Sequence, residues 1–147
     1  MPAHTRPRAN VTEGTLQLKL PSRIESIAEA AAAAAGVAER LKLSEDAAFG
    51  LDMAVRESVT NAVLHGNRRD ERKQVEVGFE DAGDHVVVTV RDEGAGFDPG
   101  AVSDPTAEEN LLKTSGRGIL FMRSFMDTVE WGPHPEGGTV VRMTKKK

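Results

Sequence analysis

Two pairs of strand-like segments, each closed by a short turn, constrain this chain more than any other feature. Val75 to Glu80 and His85 to Arg91 flank Asp81-Ala-Gly-Asp84, and Thr128 to Trp131 and Thr139 to Thr144 flank Pro133 to Gly138. Segments joined this tightly pair antiparallel, because a parallel partner needs a crossover of about a dozen residues or more. Thr15-Leu-Gln-Leu-Lys-Leu20 alternates apolar and polar as a half-buried strand does, and Pro21 stops it. Ser22 and Glu25 have the spacing of a capping box ahead of an alanine-rich helix that runs to about Leu41. Ser44 caps a second helix that closes at Gly66, with Ala47, Leu51, Val55, Val59 and Ala62 as its apolar stripe. A third helix, Ile119 to about Met126, follows Gly116-Arg-Gly118. Its apolar residues Ile119, Phe121, Met122, Phe125 and Met126 read as core.

The order β-α-α-β-β, then a polar stretch to about Ser115, then α-β-β predicts an α+β fold. The expected architecture is a two-layer α/β sandwich: a mixed, mostly antiparallel sheet with three helices on one face. The chain's 147 residues suit one domain. Residues 1–14, with Pro2, Arg6, Pro7 and Arg8, read as a flexible leader, 15–144 as the domain, and 145–147 as a basic tail.

Composition removes several function classes. There is no cysteine, hence no disulfide framework, no thiolate zinc site and no cysteine nucleophile. A net charge of −4 argues against direct nucleic-acid binding through a broad basic surface. No segment approaches the roughly 20 apolar residues of a bilayer span, and no apolar signal core opens the chain. These features predict a cytoplasmic protein with no membrane partner.

Four stretches can carry chemistry. Glu57-Ser-Val-Thr-Asn61 sets a carboxylate and a carboxamide roughly 40° apart on one side of a helix and about 6 Å apart along its axis. The amide oxygen can ligate Mg²⁺, and the carboxylate can take a proton from an attacking hydroxyl. A solvated polar face with an ordinary i,i+4 pair has the same spacing. Asp92-Glu-Gly-Ala-Gly96-Phe-Asp-Pro99 follows the apolar run Val86 to Val90. An aspartate at a strand end can accept from an exocyclic amine such as that of adenine, and glycines let the backbone approach a ligand closely. Asp and Gly also favour a plain loop turn. Ser115-Gly-Arg-Gly118 at a helix start offers free N–H groups and a guanidinium to an anion, or is simply a glycine-rich helix entry. Thr139 after Gly138 can reach a base through its hydroxyl, or is a β-favouring residue in a strand.

In this order the four stretches resemble the ATP-binding domain shared by gyrase, heat-shock protein 90, histidine kinases and mismatch-repair proteins. Glu57 and Asn61 match its N box, Asp92-x-Gly-x-Gly96 its G1 box, Gly116-x-Gly118 its G2 box, and Gly138-Thr139 its last box. Within that group, Glu57-Ser-Val-Thr-Asn-Ala-Val-Leu-His-Gly66 and Asp92 to Pro99 are most similar to the anti-sigma factor serine-protein kinases. The resemblance spans about residues 15–144 and implies the Bergerat-type ATP-binding fold. It implies that Asp92 binds the adenine amine, with Gly94 and Gly96 passing the base. It implies Asn61 as the Mg²⁺ ligand, Gly116, Arg117 and Gly118 as the phosphate cradle, Thr139 near the base, and Glu57 as general base. The segment from Phe97 to Ser115 would be the ATP lid.

The implied function is an ATP-binding anti-sigma factor and serine/threonine-protein kinase. Its implied partners are a sigma factor, an anti-sigma antagonist protein as substrate, and a second copy of itself in a homodimer. The alternative is an ATP-dependent protein-binding switch with little transfer activity. Some relatives carry an arginine just before the G2 glycines, where this chain has Thr114 and Ser115.

Overall fold

A computed structural model describes residues 8–12, 14–94 and 118–147. Among them, six strands form one sheet in the order β1-β2-β3-β4-β6-β5, every neighbouring pair antiparallel. The strands are β1 (Arg8–Thr12), β2 (Thr15–Pro21), β3 (Gln74–Asp81), β4 (His85–Arg91), β5 (Thr128–Pro133) and β6 (Thr139–Lys146). The helices are α1 (Glu25–Arg40), α2 (Glu45–Asn61) and α3 (Gly118–Phe125), and a wider π-type turn, Ala62–Gly66, continues α2.

Period-2 patterning sets which face is dry. Leu18 and Leu20 of β2, Val75, Val77 and Phe79 of β3, Val86, Val88 and Val90 of β4, and Met143 of β6 are all buried in one cluster. Register brings them side by side: Val77 faces Val90, and Val88 faces Met143. The helices cover that face. Ala30, Ala34 and Val37 of α1 and Leu51, Val55 and Val59 of α2 join the same cluster, as does Met122 of α3. Burying one such leucine or valine contributes about 1.5–3 kcal/mol. The expected two-layer sandwich is therefore present, with a sheet that is antiparallel throughout the described residues.

The differences from expectation have local causes. Part of the anticipated leader, Arg8–Thr12, is an edge strand on β2. Gly14, at φ +79°, closes the hairpin, and its carbonyl accepts the Asp81 amide at 2.7 Å. The lysines read as a basic tail belong to the sheet. Lys145 and Lys146 complete β6, and Lys147 Nζ lies 2.9 Å from Asp81 Oδ1, holding that carboxyl below the usual range. Ser22 does not cap α1. Its hydroxyl donates to the Lys73 carbonyl at 2.6 Å, while Ser26 Oγ donates back to the Pro21 carbonyl at 2.6 Å. Ser44 caps α2 as expected, accepting from the Ala47 amide at 3.1 Å. In α3, Met122 is core but Phe121 is exposed, edge-on to Phe125 at 4.8 Å between centroids. The segment read as a lid, Phe97 to Ser115, lies outside the described residues.

Two helical glycines make opposite predictions. Gly36 in α1 has open space where a Cβ would stand, so Gly36→Ala gains helix propensity of about 0.5–1 kcal/mol. At Gly50 in α2 a Cβ would sit 2.7 Å from the Phe125 carbonyl oxygen. That backbone contact sets how closely α2 and α3 approach, and overpacking costs about 1–3 kcal/mol, more than the propensity gained. Urea unfolding should show a higher midpoint for G36A and a lower one for G50A, with unchanged slopes.

Candidate functional site

The site is built where β4 ends beside the start of β6. Asp92 directly follows β4 and is 7% exposed. Its N–H donates to the Thr139 carbonyl at 3.0 Å, and the Thr139 N–H donates to Asp92 Oδ1 at 3.1 Å. The Gly94 N–H donates to the same oxygen at 3.0 Å. One carboxylate oxygen thus holds two amides, and Oδ2 lies against Gly66 at the end of the π-type turn.

Three glycines make that packing possible. A Cβ on Gly66 would overlap the Asp92 carboxylate, one on Gly94 would overlap the Gly66 carbonyl oxygen, and one on Gly138 would overlap the Asp92 carbonyl oxygen. Gly138 also sits at φ +89°, a region that a side chain disfavours. Arg91 steadies the turn before it: one guanidinium nitrogen donates to the Gly137 carbonyl at 3.1 Å and the other to Glu76 at 2.9 Å.

Burial raises the Asp92 pKa above the ordinary carboxylate value, because an ion is disfavoured away from water. The two amide donors and the nearby Arg91 and Lys73 charges oppose that shift without cancelling it. The carboxylate is therefore a buried polar group, held by backbone amides and packed against glycines.

The π-type turn explains how α2 reaches this point. The Asn67 amide donates to the Ala62 carbonyl at 2.8 Å, a five-residue step that widens the last turn. Glu57 and Asn61 lie upstream on the same helix, i and i+4, hence on one face. Both are half-buried, and neither side chain has a hydrogen-bond partner among the described residues. Among the described residues none hydrogen-bonds the Asn61 amide oxygen, a hard donor of the kind Mg²⁺ prefers.

The structure thus brings Asp92, Gly94 and Thr139 together and sets Glu57 and Asn61 on one helix face. Gly118 opens α3. Gly96, Gly116 and Arg117 lie outside the described residues. Gly66 and Gly138 fall within the motifs recognised in the sequence, but neither was given a role of its own, and Asn67 was not singled out. Asn67 carries no signal, since an asparagine after a helix-ending glycine reads as an ordinary cap. His65 is exposed at the end of the π-type turn.

An antiparallel sheet under three helices, with a buried aspartate and glycines at the strand ends, is the frame of an ATP-binding domain. The chain belongs to the histidine kinase-like ATPase domain family, whose model matches residues 20–145. It is 29% identical over 136 residues to the serine-protein kinase RsbW of Oceanobacillus iheyensis, covering 88% of this chain and 85% of that protein. It is 32% identical over 133 residues to the anti-sigma F factor of the same organism, covering 89% and 91%. With the anti-sigma F factor of Heyndrickxia coagulans it shares 35% over 133 residues, covering 88% and 89%.

Asp92→Asn isolates the cost of the buried charge. The asparagine keeps an oxygen for the Gly94 and Thr139 amides but cannot ionise. The wild-type folded pKa is raised, so ionisation costs stability above that pKa, and the cost disappears as pH falls through it towards the unfolded value. Asp92→Asn should therefore be at least as heat-stable as wild type at pH 7. The difference should shrink as pH falls through the raised folded value and close below the unfolded carboxylate value of about 3.9.

Proposed function

We propose that this chain is an ATP-binding anti-sigma factor and serine/threonine-protein kinase, which holds a sigma factor and phosphorylates an anti-sigma antagonist protein. The observation that carries the reading is Asp92. It is a buried carboxylate with one oxygen committed to two backbone amides and the other lying against Gly66, with no hydrogen-bond partner among the described residues. Such an oxygen accepts from an amine and repels a carbonyl, which selects adenine. The names of the relatives, serine-protein kinase and anti-sigma F factor, support the rest.

In this reading Thr139 stands beside the base with Asp92, and Gly94 lets the backbone pass it. Gly96 continues that passage, while Gly116, Arg117 and Gly118 cradle the phosphates. Asn61 holds Mg²⁺, which neutralises phosphate charge when bound. Glu57 takes the proton of the substrate serine or threonine hydroxyl. That oxygen bonds the γ-phosphorus, the bond to the bridging oxygen breaks, and ADP leaves with the electron pair. Positioning does most of the work in such a transfer, so a half-buried Glu57 that no described residue engages, on the same helix as Asn61, suits the role. The protein acts as a homodimer in the cytoplasm. No described helix is long and apolar enough to cross a membrane.

Two variants separate binding from transfer. Glu57→Gln should bind ATP as wild type does and transfer phosphate about 10²–10⁴-fold more slowly. Asp92→Asn, though stable, should lose about 10–100-fold in ATP affinity, the range of a hydrogen bond to a charged group. The measurement is calorimetric titration with Mg·ATP beside radiolabel transfer to an antagonist protein. An Asp92→Asn protein with wild-type affinity contradicts the base assignment, and a Glu57→Gln protein with wild-type transfer contradicts the general base.

A further inference from the structure

Asn67 is 2% exposed, and the proposed transfer makes no use of it. Its side chain reaches three separate segments. Oδ1 accepts the Glu93 amide at 2.8 Å, while Nδ2 donates to Ser22 Oγ at 2.7 Å and to the Gln74 carbonyl at 3.0 Å. The Gln74 amide in turn donates to the Glu93 carboxylate at 2.6 Å. The bonds form a ring through Asn67, Glu93 and Gln74, with Ser22 attached and bonded onward to the Lys73 carbonyl at 2.6 Å. Only a carboxamide of this length accepts on one atom and donates twice on the other. Aspartate lacks the donor, and serine lacks the reach.

The ring clamps Glu93, the residue between Asp92 and Gly94. Gly94 donates to Asp92 Oδ1 and packs on the Gly66 carbonyl, so the position of the Glu93 amide governs how the Asp92 carboxylate is aimed. We propose that Asn67 is a positioning residue for base recognition: by holding the Glu93 amide it fixes the turn from Asp92 to Gly94 and so the direction of the free carboxylate oxygen. This rests on the reading of Asp92 as the adenine contact. A residue that merely supports the fold would lower stability when removed and leave base preference alone. A residue that aims the carboxylate changes the preference itself.

The test is titration of wild type, Asn67→Ala and Ser22→Ala with Mg·ATP and with Mg·ITP, which presents a carbonyl where ATP presents an amine. Wild type should prefer ATP. Asn67→Ala should lose about tenfold in ATP affinity and about fivefold in the ATP-to-ITP ratio. Its kcat at saturating ATP should stay within about threefold of wild type. Ser22→Ala, which leaves the Glu93 contact intact, should keep the ratio. A folded Asn67→Ala with the wild-type ratio overturns the inference, as does a Ser22→Ala that loses the ratio equally. If Asn67→Ala does not fold, amide exchange on the nucleotide-free wild type decides. A protected Glu93 N–H supports the clamp, and exchange at the rate of an open loop overturns it. A wild type that binds neither nucleotide overturns the base reading itself. Equal discrimination by wild type and Asn67→Ala overturns this inference alone.

Discussion

One carboxylate oxygen organises the site. Asp92 Oδ1 holds the Gly94 amide and, 47 residues along the chain, the Thr139 amide. Through these bonds the loop after β4 and the first residue of β6 become one surface. Because the Asp92 N–H also meets the Thr139 carbonyl, the link runs in both directions and prolongs the β4–β6 ladder beyond its last pair, Arg91 with Val140. Everything packed against this point has to be small. That is why Gly66, Gly94 and Gly138 converge there, from three parts of the sequence.

The same arrangement opposes stability to function. A buried carboxylate costs folding free energy, and its raised pKa is the measure of that cost. A chain selected only to fold would place a neutral group there. Ligand-binding surfaces are common places for such local conflict between propensity and fold. Elsewhere the molecule obeys ordinary rules: apolar residues at period 2 in strands, a serine cap on α2, and an alanine-rich α1 that lies close on its neighbours.

The parts legible in the sequence were those fixed by local chemistry. Strand pairs separated by turns read correctly because alternation and turn residues are short-range signals. Asp92 and Thr139 stood out because motif order compensated for the ambiguity of each motif alone. The parts missed depend on contacts between distant residues. Arg8–Thr12 lacks a strand pattern of its own and becomes a strand by pairing with β2. Ser22 has capping-box spacing, yet its hydroxyl is drawn to Lys73 and Asn67, 51 and 45 residues away. The terminal lysines look like a solvated tail until β4, Asp127 and Asp81 are seen beside them. Asn67 illustrates the general limit: its role resides in three partners that no spacing rule connects.

The most direct test of the account is a crystal structure of the chain with Mg²⁺ and a non-hydrolysable ATP analogue. The exocyclic amine of adenine should lie within hydrogen-bond distance of Asp92 Oδ2, and the metal against the Asn61 amide oxygen. A nucleotide bound with its base away from Asp92, or with the metal held by residues on another face of α2, would contradict the account.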